Sequence, residues 1–79
     1  MDKYSISFEN IKISKYEKIA QHIKKLIDKN IIKDGEKLPS IRKLAVFLKV
    51  NNTTIVNAYK KLEEEGYATQ KVGSGTYAK

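Results

Sequence analysis

Residues 50–67, VNNTTIVNAYKKLEEEGY, decide the fold. Ile55, Ala58, Tyr59 and Leu62 fall at i, i+3, i+4 and i+7, the spacing of a helix with one buried stripe. Ahead of that stripe stand Asn51, Asn52, Thr53 and Thr54. One such side chain is enough to cap a helix by accepting a bond from a free backbone N–H. Asn51 is expected to cap, which leaves Asn52, Thr53 and Thr54 facing outward with no part in folding. Gly66 supplies the left-handed residue that closes the helix.

Reading backwards from Asn51, Lys49 to Asn51 separate this helix from a shorter one. Ser40 caps the shorter helix, with Ile41, Leu44, Ala45 and Leu48 inward. Before it, DGEKLPS gives a turn at Asp34-Gly35, a short extended piece and a stop at Pro39. A first helix opens at SKYE, where Ser14 and Glu17 have capping-box spacing. Its stripe is Tyr16, Ile19, Ala20, Ile23 and Ile27, running to about residue 29. Asn30 is expected to cap it left-handed, with Ile31 and Ile32 tucking back into the core.

Reading forwards, YATQKVGSGTYAK alternates in places and is split by Gly73-Ser74-Gly75, the pattern of a β-hairpin. At the other end, YSISF also alternates, so residues 1–13 read as an arm or a short strand. Two helices joined by three residues form a helix-turn-helix. The helix before them completes a bundle and the hairpin after them adds a wing. The fold class is therefore mainly α with a small β-hairpin, a winged helix-turn-helix over residues 14–79.

Charge points to the partner. Sixteen basic residues against nine acidic give the 79-residue chain a net charge of +7, and all but Arg42 of the basic residues are lysine. An AT-rich coding bias would also enrich Lys, Ile, Asn and Tyr, so charge alone does not decide. The excess nevertheless runs through the middle and end of the chain rather than a tail, and a folded basic domain suits a polyanion, nucleic acid before membrane. There is no cysteine. With no apolar run of membrane-spanning length and no signal pattern after Met1, the chain is expected in the cytoplasm.

The start of a recognition helix is what reaches base edges in the major groove. Amides such as Asn52 and Asn57 can bond adenine at two major-groove atoms, and threonine methyls can meet thymine methyls. This answers why the helix opens on more polar side chains than a cap requires.

The segments KLPSIRKLA, VNNTT, AYKKLEEEGY and GSGTY, in this order and spacing, resemble the winged-helix domain of GntR-type bacterial transcription regulators. The likeness covers about residues 14–79 and is most similar to the MocR branch, whose members fuse this domain to an aminotransferase-like, pyridoxal-phosphate-binding domain. It implies double-stranded DNA as partner and a homodimer for the full-length regulator. Arg42 matches an arginine that holds the DNA backbone. Asn52, Thr53 and Thr54 match positions that contact bases and phosphates, and Gly73 and Gly75 match the wing tip near the minor groove. Independently of the likeness, glycine lets backbone donors approach phosphate, and Lys71 adds charge beside Gly73, Ser74 and Gly75. The chain departs from the pattern twice. Asn52 stands where arginine is frequent, which leans the readout from guanine to adenine. Lys49 stands where the turn often has glycine.

No other constellation carries chemistry. His22 is the sole histidine and has no ligand cluster around it, so it reads as an ordinary surface or packing residue. GSGT lacks the ending of a phosphate loop and precedes a strand, not a helix. Tyr59 and Tyr67 sit at core spacings, and Glu63, Glu64 and Glu65 read as a solvated face away from the DNA end. No residues of the chain suit pyridoxal phosphate or a metal, so it is expected to carry no cofactor and no catalytic site. A winged helix used for protein association is the competing reading; it leaves Arg42 and residues 52–54 without partners.

Overall fold

The computed structural model describes residues 1–79. A single 3-10 turn, Asp2–Tyr4, precedes helices α1 (Lys15–Asp28), α2 (Ile41–Leu48) and α3 (Asn52–Glu64) and strands β1 (Ala68–Lys71) and β2 (Gly75–Ala78). This is the three-helix bundle with a wing.

Helix α1 starts at Ser14, whose Oγ accepts the Glu17 N–H while the Glu17 carboxylate accepts the Ser14 N–H and hydroxyl. It ends in a Schellman motif: Ile31 N–H reaches Leu26 O at 2.9 Å, Asn30 N–H reaches Ile27 O at 2.9 Å, and Asn30 takes φ 60°. Past this reversal the two isoleucines part company. Ile32 is fully buried, but Ile31 is 48% exposed, so the expectation that both enter the core is corrected. Both residues lie in the bend after the turn at Asn30, their N–H groups shared on Leu26 O, and only Ile32 is turned inward. Leu26 is buried and Ile27 only half-buried, which shifts the end of the expected stripe by one residue.

The same terminus recurs twice. Tyr67 N–H to Leu62 O at 2.8 Å and Gly66 at φ 82° close α3. Val50 N–H to Ala45 O at 3.0 Å closes α2, with Lys49 at φ 58°, ψ 46°. The turn therefore does need a left-handed residue, and lysine fills it against the Cβ–carbonyl crowding that disfavours such a backbone by roughly 1–2 kcal/mol. Lys49→Gly is expected to stabilise the domain by about 1 kcal/mol, part of the relief being offset by the freer unfolded chain. An unchanged or lowered urea midpoint would contradict this.

The core joins Ile19, Ile23, Ile32, Leu38, Leu44, Ile55 and Leu62, all fully buried, and each large side chain contributes about 1.5–3 kcal/mol. Helix α3 presents Ile55, Ala58, Tyr59 and Leu62 to it, the stripe expected from the spacing. The wing is an antiparallel pair with Ala68 opposite Ala78 and Lys71 opposite Gly75. Its β2 edge is joined by the extended piece before α2: Leu38 N–H donates to Thr76 O and Ala78 N–H to Glu36 O, both at 2.8 Å. With that edge taken, residues 4–8 form no strand. Tyr4 instead packs into the core, and Lys3 is held by Glu36 at 2.6 Å and by His22 Nε2, which donates to the Lys3 carbonyl at 2.7 Å.

Candidate nucleic-acid interface

Helices α1 and α2 are each capped by a serine, Ser14 and Ser40. Helix α3 is not capped by a side chain. Asn51 holds the N-cap position and its carbonyl accepts the Thr54 N–H at 3.0 Å, but its amide makes no capping bond. The expected Asn51 cap is thus corrected: the position is right and the side chain is unused. The N–H groups of Asn52 and Thr53 remain open, at the end where the helix dipole is positive.

Asn51, Asn52 and Thr53 are exposed, and so is Asn57, one turn beyond Thr53 on the same face. Thr54 is only half-exposed, because it begins the side of the helix that leads to Ile55. Tyr59 fixes this helix against the entry to α2: its hydroxyl donates to the Pro39 carbonyl at 2.8 Å. Burial foremost, and then Tyr4 beside it, push the Tyr59 hydroxyl above its ordinary pKa and keep it a donor. That bond sets where α3 stands relative to Arg42, which is exposed in the first turn of α2.

The wing comes close to the same end. Ser40, Ile41, Gln70, Ser74 and Gly75 line one cleft with Lys37. At the tip, Ser74 N–H closes a turn on Lys71 O at 2.9 Å, with Gly73 at φ 78°. Gly75 has φ 140°, a backbone that side chains rarely adopt, and an added Cβ would sit 2.9 Å from Lys37 Cε. Gly73, Ser74 and Lys71 are exposed, although the Ser74 hydroxyl bonds that of Tyr77 and the Lys71 ammonium lies 4.6 Å from the Tyr77 ring centre.

Lys37, Lys43 and Lys60 were not among the residues expected at the site. The signal that finds them is an absence: residues 37–62 contain no Asp or Glu, while Lys37, Arg42, Lys43, Lys49, Lys60 and Lys61 lie within them. The ion pairs are Lys3–Glu36, Lys24–Glu65 and Lys61–Glu65, so of that basic run only Lys61 is paired. The hydrogen bonds from Lys24 and Lys61 hold the Glu65 carboxyl below its usual pKa, at the far end of α3. Five cations with no acidic partner, spread from the segment before α2 to the second half of α3, suit a polyanion. No group of side chains is placed to hold a metal ion, and no helix is long and apolar enough to cross a membrane.

The model of the bacterial regulatory proteins of the gntR family matches residues 15–78. The chain belongs to this family. Over 62 residues this GntR-family chain is 48% identical to the HTH-type transcriptional repressor YtrA of Bacillus subtilis (strain 168), covering 78% of the chain and 48% of that relative. The chain thus spans about half of it. YtrA from Sulfolobus acidocaldarius, a GntR-family transcription factor, superposes with TM-score 0.87 at 39% identity, over 98% of this chain and 80% of that one. AraR(DBD) solved in complex with operator ORE1 shares the fold, with TM-score 0.81 at 24% identity over 95% of this chain and 90% of that one.

The MocR branch is not supported. The stronger likeness is to YtrA, a short GntR-family regulator. The motifs that suggested the branch are the Ser40 cap, the α3 stripe with its Gly66 terminus, and the wing turn. All of these fold the domain and carry no information about what is attached to it.

Proposed function

We propose that this chain is the operator-binding domain of a transcription regulator and reads double-stranded DNA with the start of α3 in the major groove. The observation that carries the reading is the uncapped, outward-facing start of α3 within a basic stretch that holds no carboxylate. Asn51, Asn52, Thr53 and Asn57 supply base-edge and phosphate contacts, with Thr54 at the margin. Arg42 grips a backbone phosphate from α2. The wing lies along the neighbouring backbone, where Gly73, Ser74 and Gly75 let main-chain donors approach and Lys71 swings from Tyr77 to a phosphate. The chain does no chemistry of its own and works in the cytoplasm, where operator DNA lies. The likeness to the YtrA repressor favours a YtrA-type regulator that acts by occupying its operator, as a homodimer in the full-length protein.

Arg42→Ala tests the backbone role. It is expected to weaken binding to all duplexes alike and to lower the slope of log affinity against log salt by about 1, since one neutralised phosphate fewer releases one counterion fewer. Base preference should stay as it was. A loss confined to one operator base would contradict the assignment.

A further inference from the structure

Tyr16, Asn57, Lys60, Lys61 and Glu64 line an open groove of about 340 Å³ between the first turn of α1 and the outer face of α3. Among the tyrosines, the hydroxyls of Tyr59, Tyr67 and Tyr77 bond Pro39, Asp28 and Ser74. The half-exposed Tyr16 hydroxyl makes no bond within the protein. Lys60 is exposed and forms no ion pair, although Glu64 stands one turn away, whereas Lys61 is taken by Glu65 at 3.1 Å. Of the nearby α1 carboxylates, Glu17 is occupied by Ser14. One end of the groove therefore offers a free ammonium, a free hydroxyl and an exposed amide, and Glu64 closes the other end.

We infer that this end of the groove, formed by Tyr16, Lys60 and Asn57, seats a phosphodiester of the DNA strand bordering the major groove, so that α1 contributes a second backbone hold opposite Arg42. The inference rests on the DNA-binding reading above and adds a site to it. Thr53, Asn57 and Lys60 follow one face of α3. At 1.5 Å per residue, Lys60 stands about 10 Å along the axis from Thr53. The major groove is about 8.5 Å deep. A helix that enters the groove end-on, with its first turn at the base edges, thus brings Lys60 to the height of the groove rim, where the phosphates are. Lys60 supplies the charge there, and the Tyr16 hydroxyl and the Asn57 amide donate to the phosphate oxygens. Glu64 repels the next phosphate and sets where the strand leaves the protein.

The test uses residues 1–79 and a duplex selected by the unaltered chain, with affinity measured over a series of salt concentrations. Tyr16→Phe, which removes only the hydroxyl, is expected to weaken binding by about 3–10-fold, the range of one typical hydrogen bond. Lys60→Gln should lower the salt slope by about 0.9, while Lys29→Gln, outside the groove, should leave it unchanged. A neutral methylphosphonate at one rim phosphate should abolish the effect of Lys60→Gln, and at other phosphates it should not. Thermal melts of the variants should match that of the unaltered chain. If Tyr16→Phe and Lys60→Gln bind within twofold of it while Arg42→Ala is impaired, the groove site is wrong and the DNA reading stands. If the unaltered chain shows no salt-dependent duplex binding, both fall.

Discussion

Two copies of residues 1–79 joined through an unrelated dimerising coiled coil should bind a two-half-site operator about 10²–10⁴-fold more tightly than the separate domain, because the second contact becomes intramolecular. The geometry permits it. The domain measures 32 × 26 × 24 Å, so two copies side by side match half-sites about 34–36 Å apart. Linkers must reach: a flexible chain spans about 5–6 Å times the square root of its residue number, so linkers far too short for that separation should lose the gain. Within residues 1–79 the apolar stripes of α1, α2 and α3 are spent on one shared core, and no long apolar seam is left for a second copy. The separate domain should therefore sediment as a monomer and bind weakly. A stable dimer of residues 1–79, or equally tight single-site binding without the fusion, would contradict this.

Ile55→Ala should cost about 2–5 kcal/mol, the range for removing a large aliphatic side chain from a well-packed core. Ile55 is fully buried on α3, one turn inside the exposed start, so the cavity opens directly beneath that start. A domain of this size has on the order of 4–12 kcal/mol of stability in total. The loss is then a large fraction, lowering the melting temperature by roughly 8–40 °C at about 4–8 °C per kcal/mol. Urea unfolding followed by helix content measures it, and a loss below about 1 kcal/mol would mean that the α3 stripe is not what holds the core.

Much of this architecture was legible because its signals are local. Ser14 with Glu17, Ser40, Asn30 and Gly66 mark helix ends through bonds to their own neighbours, and the α3 stripe states its buried face by period alone. What escaped depends on tertiary placement. Which of Ile31 and Ile32 enters the core is set by how the chain leaves Asn30, and the displacement of Ile27 by Leu26 depends on the angle at which α1 meets its partners. The wing edge is filled by Glu36–Leu38, so residues 4–8 find no strand to join. At the site, α3 and the wing were readable as polar and glycine-rich stretches. Lys37 was not, because its place beside Gly75 arises only when the segment before α2 pairs with β2. Asn51 shows the limit of propensity: a residue type favoured at caps occupies the cap position and leaves its amide free.

The central claim, that α3 reads duplex sequence, is tested most directly by selecting binding sites from random duplexes with the unaltered chain and with Asn52→Ala, in parallel. A defined half-site is predicted for the unaltered chain, with adenine at the position Asn52 faces. Asn52→Ala should lose about 1–3 kcal/mol of discrimination at that single base pair, with the remaining positions unchanged. Enrichment of no sequence by the unaltered chain, or an identical half-site from both proteins, would contradict base readout by the start of α3.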